Sequence, residues 1–268
     1  MKGHRDHGTP PPPEVMAGPH AALEVLRAGK RLVRRVILAR QEGGATVEAV
    51  LHLARERRVP VETRSRDELD RVARGATHQG VLVEVGPFPY ADPEAVVAEA
   101  LRGPEPGFLL VLDGIQDPQN LGAIVRSAEA AGVDGCVIPR DRAAGVGSAA
   151  VRASAGATEH LPIAQVTNLA AFLESIKSQG LWVVGTDATE GRDLFTTDLA
   201  DPLALVIGGE ERGLRHLTKA RCDLIVQIPS HGKVASLNAA AAAAVCLFEA
   251  ARQRRAKARA TARSEPRP

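Results

Sequence analysis

Aromatic residues make up only 3% of the 268-residue chain, so few platforms for stacking nucleic-acid bases are expected. No apolar run approaches the roughly 18 residues that a bilayer-spanning helix needs. The longest candidate, 239–248, is mostly alanine and too short, so no membrane association is expected. The opening MKGHRDHGTPPPP has no apolar h-region and does not read as a secretory signal. The three cysteines, Cys136, Cys222 and Cys246, form no CxxC and lie in apolar surroundings. They read as core thiols of a cytoplasmic protein in a reducing compartment. The eight histidines show no metal-ligand spacing, so no metal is predicted, and the lone His78 and His231 read as structural or loop residues. The phosphate-cradling GxxxxGK[ST] is missing too.

What is present begins with charge. The net value of +2 argues little, but its distribution is uneven. Residues 1–80 carry 15 Lys/Arg against 10 Asp/Glu and residues 251–268 carry 7 against 1, while 81–250 carries 12 against 21. A polyanion would be drawn to the two ends and away from the middle. The plainer reading is a pair of solvated charged surfaces.

A hydrophobic fraction of 44% is enough for a packed core, and the length admits two domains. Residues 1–14, with four consecutive prolines, are expected to be disordered. From 15 to 86 the pattern alternates helices at 19–28, 46–58 and 66–74 with strands at 34–38, 60–64 and 81–85. Ser65 is the expected N-cap of the third helix. Arginines 31, 34, 35, 55, 57, 58, 64 and 66 fall on the polar faces of this small α/β unit. Five prolines between 86 and 107 mark a linker, 87–106, with a helix at 93–101 inside it. The second domain, 107–255, alternates strands at 108–112, 133–138, 181–185, 203–207 and 224–228 with helices at 121–131, 148–156, 169–179 and from about 236 onward. This βα alternation predicts a parallel sheet covered by helices on both faces. A disordered basic tail, 256–268, is expected to follow.

Ligands of such sheets bind outside the carboxyl ends of the strands. Three polar stretches belong there. In the first, Asn120 stands where a loop becomes a helix and Arg126 follows six residues on. A fixed guanidinium near a helix N-terminus suits phosphate or carboxylate, whereas the plainer readings are an N-cap for Asn120 and a salt bridge to Glu129 for Arg126. In the second, GGEERG at 208–213 follows a buried strand. Its glycines allow close backbone approach, with Glu210 at the mouth of the cleft, or form a tight turn with exposed acids. In the third, IPSHGKVASLN at 228–238 leads into the last helix, and its Ser236 is either an N-cap or part of a purine-binding edge. GVGSAA at 145–150 fits GxGxxA, but its strand ends near Ile138 and no acid stands twenty residues on, which argues against a dinucleotide site.

Taken together, DPQNLGAIVR (117–126), LALVIGGEERGL (203–214) and IPSHGKVASLN (228–238) resemble the three motifs of the SpoU-type, or TrmH-like, branch of the SPOUT RNA methyltransferases. Content, order and spacing all match, and the likeness extends over about residues 17–255. The resemblance implies an α/β fold with a deep C-terminal trefoil knot and a ribosomal-protein-like N-terminal domain that grips RNA. It implies S-adenosyl-L-methionine as cofactor and a homodimer with its active site at the interface. It further implies methylation of a ribose 2′-oxygen in RNA, most closely a guanosine of 23S rRNA. By position it assigns cofactor binding to the backbone around Val206, Ile207, Gly208, Gly209, Ile228 and Leu237. Catalysis and RNA positioning fall to Asn120, Arg126, Glu210, Ser236 and Asn238. The sequence departs from the pattern at Gly209, where relatives often carry a small or amide residue, and at His231 and Lys233. A tRNA or other rRNA target, a non-catalytic RNA-binding relative and an NAD-linked oxidoreductase are the competing readings.

Overall fold

The computed structural model describes residues 13–210, 212–233 and 236–264. Two compact units emerge, Met1–Pro89 and Tyr90–Pro268, each built on its own sheet.

The first unit runs β1 (Glu14–Ala17), α1 (Pro19–Ala28), β2 (Val33–Ala39), α2 (Ala45–Glu56), β3 (Val61–Arg64), α3 (Arg66–Ala73) and β4 (Val81–Val85). Its strands lie in the order β1-β4-β2-β3. β4 is antiparallel to both of its neighbours, and β2 and β3 are parallel. One core gathers Ile37, Leu69 and Leu82. Ser65 caps α3 as expected, in a reciprocal box with Glu68. β1 was not anticipated, since it starts inside the stretch expected to be disordered. Residues 1–12 of that stretch lie outside the described residues.

The second unit continues with α4 (Pro93–Arg102), β5 (Phe108–Asp113), α5 (Pro118–Ala131), β6 (Gly135–Pro139), α6 (Ser148–Ala153), β7 (Ile163–Val166) and α7 (Leu169–Ser178). It is completed by β8 (Trp182–Thr186), β9 (Arg192–Asp193), β10 (Leu203–Gly208), α8 (His216–Lys219), β11 (Leu224–Gln227) and α9 (Ala239–Ser264). All seven strands are parallel, in the order β7-β6-β5-β10-β8-β11-β9. β10 therefore lies between β5 and β8, and the carboxyl ends of β5 and β10 are neighbours, with Gly208 paired to Asp113. β5 is buried along its whole length, as expected for a strand covered on both faces.

Among the boundaries that differ from expectation, four have a clear physical reason. The 87–106 linker contains α4, whose Val96, Val97 and Ala100 enter the core of the second sheet. The stretch 256–264 is helical rather than disordered. Alanine, lysine and arginine are strong helix formers, and Lys257 anchors to Asp201 at 2.6 Å. α5 starts at Pro118 rather than 121, capped by Asp117, which accepts from the Gln119 N–H. α9 starts at Ala239 rather than Ser236, because Asn238 is the residue that caps it.

Candidate active site

Asp113, the last residue of β5, is buried, with the Arg215 Nε 3.5 Å from its Oδ1. Its main-chain oxygen accepts from Gly209 N–H at 3.0 Å, and its carboxylate accepts from Arg215 N–H at 2.8 Å. One residue thus pins both ends of the loop after β10. That loop closes on itself through paired bonds between Gly209 and Gly213. A Cβ on Gly208 would lie 2.2 Å from the Gly213 carbonyl carbon. The small residue here admits the chain's own turn, where close approach of a ligand was the expectation. Sequence reasoning missed Asp113; the signal available was a lone carboxylate closing an unbroken apolar run.

With Asp117 capping α5, Asn120 is released from that duty and lies inside the first turn. Its Nδ2 donates to Glu210 Oε1 at 2.6 Å. Its Oδ1 accepts from Asn238 Nδ2 at 3.1 Å. Asn238 Oδ1 in turn accepts from Ala240 and Ala241 N–H, at 2.9 and 3.3 Å. The relay fixes both amide orientations. Helix donors can be met only by the Asn238 oxygen, which turns its NH₂ to Asn120, which turns its own NH₂ to the carboxylate. Three loops remote in sequence are therefore tied at one point.

Two of the five expected catalytic residues do not join this relay. Arg126 is exposed and makes no hydrogen bond or ion pair with any described residue, so the salt bridge to Glu129 does not form. Six positions beyond Asn120, it is rotated roughly 120° around the helix and raised about 9 Å. Ser236 is exposed too, and it does not cap the helix.

Of the expected cofactor positions, Val206 and Ile207 are buried in β10. Pairing of β10 to β8 ends at Val206, which frees the main chain of Ile207 and Gly208 on that side. Ile228 lines a groove of about 430 Å³ with Ala188, Thr189, Gln227, Pro229 and Ser230. Leu237 is half exposed at 52%, unusual for a leucine beside a polar cluster. The groove's wall at Ala188 and Thr189 was not foreseen from the sequence. Asp187 accepts from Thr189 and Glu190 N–H, and Lys219 bridges Asp187 and Glu190. Partial burial pushes the Asp187 carboxyl up, but the Lys219 ammonium and the Thr189 and Glu190 donors outweigh it and hold the group at about 2.

The remaining candidates are structural. Gly80 N–H donates to His78 Nδ1 at 3.0 Å, so Nε2 carries the proton toward Asp70 at 2.8 Å. Burial pushes the Cys136, Cys222 and Cys246 thiols up to about 12, leaving them inert at neutral pH. Ala150, the last residue of the GxGxxA stretch, and Ala153 beyond it in α6 pack on α5. A Cβ on Gly122 would lie 2.5 Å from the Ala150 oxygen, so small residues here serve helix contact.

A parallel sheet whose strand order reverses at a loop cluster tied by polar side chains defines an α/β domain of the class whose ligands sit at the carboxyl ends of the strands. The chain belongs to the SpoU rRNA Methylase family, whose model matches residues 107–248. A second model, RNA 2'-O ribose methyltransferase substrate binding, matches residues 16–91. The 23S rRNA (guanosine-2'-O-)-methyltransferase RlmB of Pseudomonas putida is 40% identical over 245 residues, covering 91% of this chain and 98% of that one. Its Pseudomonas aeruginosa counterpart is 41% identical over 242 residues, with 90% and 97% covered. Among solved structures, the SpoU methyltransferase AviRb from Streptomyces viridochromogenes in complex with AdoMet aligns with a TM-score of 0.76 at 28% identity, covering 95% of each chain. An AdoMet-bound rRNA methyltransferase from Sinorhizobium meliloti aligns at 0.74 and 27%, covering 90% of this chain and 87% of that one.

Proposed function

We propose that the protein transfers a methyl group from S-adenosylmethionine to the ribose 2′-oxygen of a guanosine in 23S rRNA. The observation that carries this reading is the Glu210–Asn120–Asn238 relay, which joins the three family motifs at one point. Relatives about 40% identical over nine tenths of both chains support the 23S rRNA guanosine as target.

The residues present fit the cofactor. The main chain released beyond Val206, the groove along Ile228 and the exposed Leu237 offer hydrogen bonds beside apolar surface, as a nucleoside with an apolar arm needs. Ile207, Gly208, Gly209, Ile228 and Leu237 would hold it, with Val206 acting from within the sheet. When bound, it supplies a methyl already activated on a sulfonium, so a metal is not required.

The chain's own part is alignment and charge. Fixing the 2′-oxygen against the methyl contributes up to roughly 7–11 kcal/mol. The relay gives Asn120, Glu210 and Asn238 the rigidity for that task. A guanidinium stays protonated, so Arg126 acts by stabilising the developing alkoxide or holding the adjacent phosphate. Its exposure, and its rotation away from Asn120, suit a site completed by a second copy of the chain, in a homodimer. Ser236 contacts the RNA from the loop before α9. The placement of β10 between β5 and β8, with β11 beyond, supports the deep knot the resemblance implies. RNA is gripped by the basic first unit and by the C-terminal basic segment.

Tritiated-methyl transfer onto 23S rRNA and onto tRNA, followed by mapping of ribose methylation, tests the reaction and its target. Label in tRNA alone would move the substrate, and none in either would leave a non-catalytic RNA binder. Arg126→Ala is expected to lower kcat by roughly 10²–10³-fold, the loss typical of one transition-state donor, with S-adenosylhomocysteine affinity changed less than about threefold. Equal losses of rate and affinity would remove Arg126 from the chemistry.

A further inference from the structure

We infer that the far end of α9 is a second RNA-docking surface, on which Arg255 and Arg259 take backbone phosphates well away from the reacting loops. This rests on the reading above that the substrate is RNA. The family model stops at residue 248, whereas α9 continues to Ser264, so the family match does not account for the extension.

The cations of this segment fall into two groups. Arg252 is held by Glu249 at 2.7 Å. Arg254 donates to the Asp201 main-chain oxygen at 2.9 Å and lies over the Phe108 ring. Lys257 pairs with Asp201. Gln253 is tied to Thr197 and Leu199. The bonds from Gln253, Arg254 and Lys257 clamp one face of the helix to residues 197–201, while Arg252 is neutralised within the helix by Glu249. At 100° per residue, Arg255 and Arg259 lie on the opposite face, one turn apart. Both are exposed and neither has a partner among the described residues. The sequence places Arg263 at the same interval.

The charge argues for a polyanion. Residues 81–250 carry 12 Lys/Arg against 21 Asp/Glu, so this helix end offers positive charge on an otherwise acidic unit. Lipid is the poorer fit, because no apolar residue larger than alanine occurs between 251 and 264 and an interfacial helix needs an apolar face. Aromatics are missing as well, so the segment meets phosphates and reads no base. Arg255 and Arg259 stand 17 and 21 residues beyond Asn238, about 25 and 31 Å along the axis. A long rRNA fragment would reach them, while a short stem-loop seated at the reacting loops would not.

The test compares the full-length protein with R255Q/R259Q, a change that keeps helix propensity, using fluorescence anisotropy on a long 23S rRNA fragment and on a short stem-loop. For the long fragment, the slope of log affinity against log salt should become shallower by about 1.4–1.8, that is about 0.7–0.9 for each phosphate no longer neutralised. The affinity gap between the two proteins should narrow roughly tenfold from about 50 to 200 mM salt. KM for the long fragment should rise with kcat unchanged, and the stem-loop should bind equally to both proteins. R255K/R259K should restore the slope. An unchanged slope overturns the inference. So does equal weakening on both RNAs, or a loss confined to phosphatidylserine vesicles, which would make the helix a membrane-binding element. If RNA binding behaves as described but no methyl is transferred, the proposed reaction fails and the docking surface stands.

Discussion

Both units carry polar networks on a sheet, but the networks do different work. In the first unit Arg35 bridges Glu84 and Glu62 at 2.7 Å each, and Glu62 also accepts from Arg64. These residues lie on β2, β3 and β4, strands already paired along their backbones. Glu84, then Glu62, hold the Arg35 guanidinium above its ordinary value. Removing that lattice would loosen a fold that the ladder and the Ile37–Leu69–Leu82 core still specify. In the second unit the relay joins residues 90 and 118 positions apart. It ties side chains beyond the last pairs of the ladder, on loops whose own backbone bonds remain without it, so its loss should appear in activity while the fold persists. Of the eight arginines expected on the polar faces of the first unit, Arg31, Arg35, Arg64 and Arg66 are ion-paired within it and Arg57 donates to the Arg27 main-chain oxygen. Arg34, Arg55 and Arg58 are exposed without a described partner, which narrows the candidates for RNA contact.

Between the two networks, the largest expected effect comes from breaking the relay at its centre. Asn120→Ala removes both amide bonds, one of them to a carboxylate; such bonds contribute about 1.5–3 kcal/mol, so kcat/KM should fall roughly 10- to 100-fold. Asn120→Asp should be worse, because it sets a second carboxylate against Glu210 and offers no donor. Asn238→Ser keeps a good helix cap yet loses the link to Asn120, and should share the activity loss at nearly unchanged melting temperature. If Asn120→Asp matches wild type in methyl transfer, the relay is not part of the site.

A middle effect belongs to Asp187, which holds the turn carrying the groove residues Ala188 and Thr189. Its folded value of about 2 lies below its ordinary 3.8. The unfolded chain therefore binds the proton first as pH falls, and the stability is full above pH 4 and lost between about 4 and 2. Asp187→Asn should cost at most about 2 kcal/mol near pH 7, at 1.36 kcal/mol per pKa unit. Denaturant titrations across pH should show the gap to wild type constant from pH 5 to 8 and closing below pH 4. A gap that persists at pH 2 would assign the effect to packing.

The strands and long helices were legible because burial dictates them: 81–85 coincides with β4, and 203–207 falls one residue short of β10. β7 and β9 were missed. One is a short run ending in Gln165 and Val166, the other a two-residue edge, and neither has a periodicity to read. The three site motifs were legible as strand-end loops. The bond pattern within them was not, because which residue caps a helix decides which side chain is left for the site. Asp117 rather than Asn120 caps α5, and Asn238 rather than Ser236 caps α9. Asp113 was hidden for a related reason. A strand-terminal carboxylate shows its purpose only once the loop it pins, far along the chain, is folded over it.

The smallest expected effect sets one cap against the other. Ser65 closes α3 through its side chain, which accepts from Glu68 N–H, while the Glu68 carboxylate accepts from Ser65 N–H at 2.8 Å. Nothing outside α3 depends on that box, whereas the cap at Asn238 also feeds the relay. Ser65→Ala should therefore lower the stability of the first unit by about 1 kcal/mol. Methyl transfer to RNA should be unchanged at temperatures where that unit stays folded. Paired measurements of melting and turnover on Ser65→Ala and Asn238→Ser should separate cleanly, one losing stability alone and the other activity alone. Parallel losses in both variants would show that the two networks do not divide the work between fold and site.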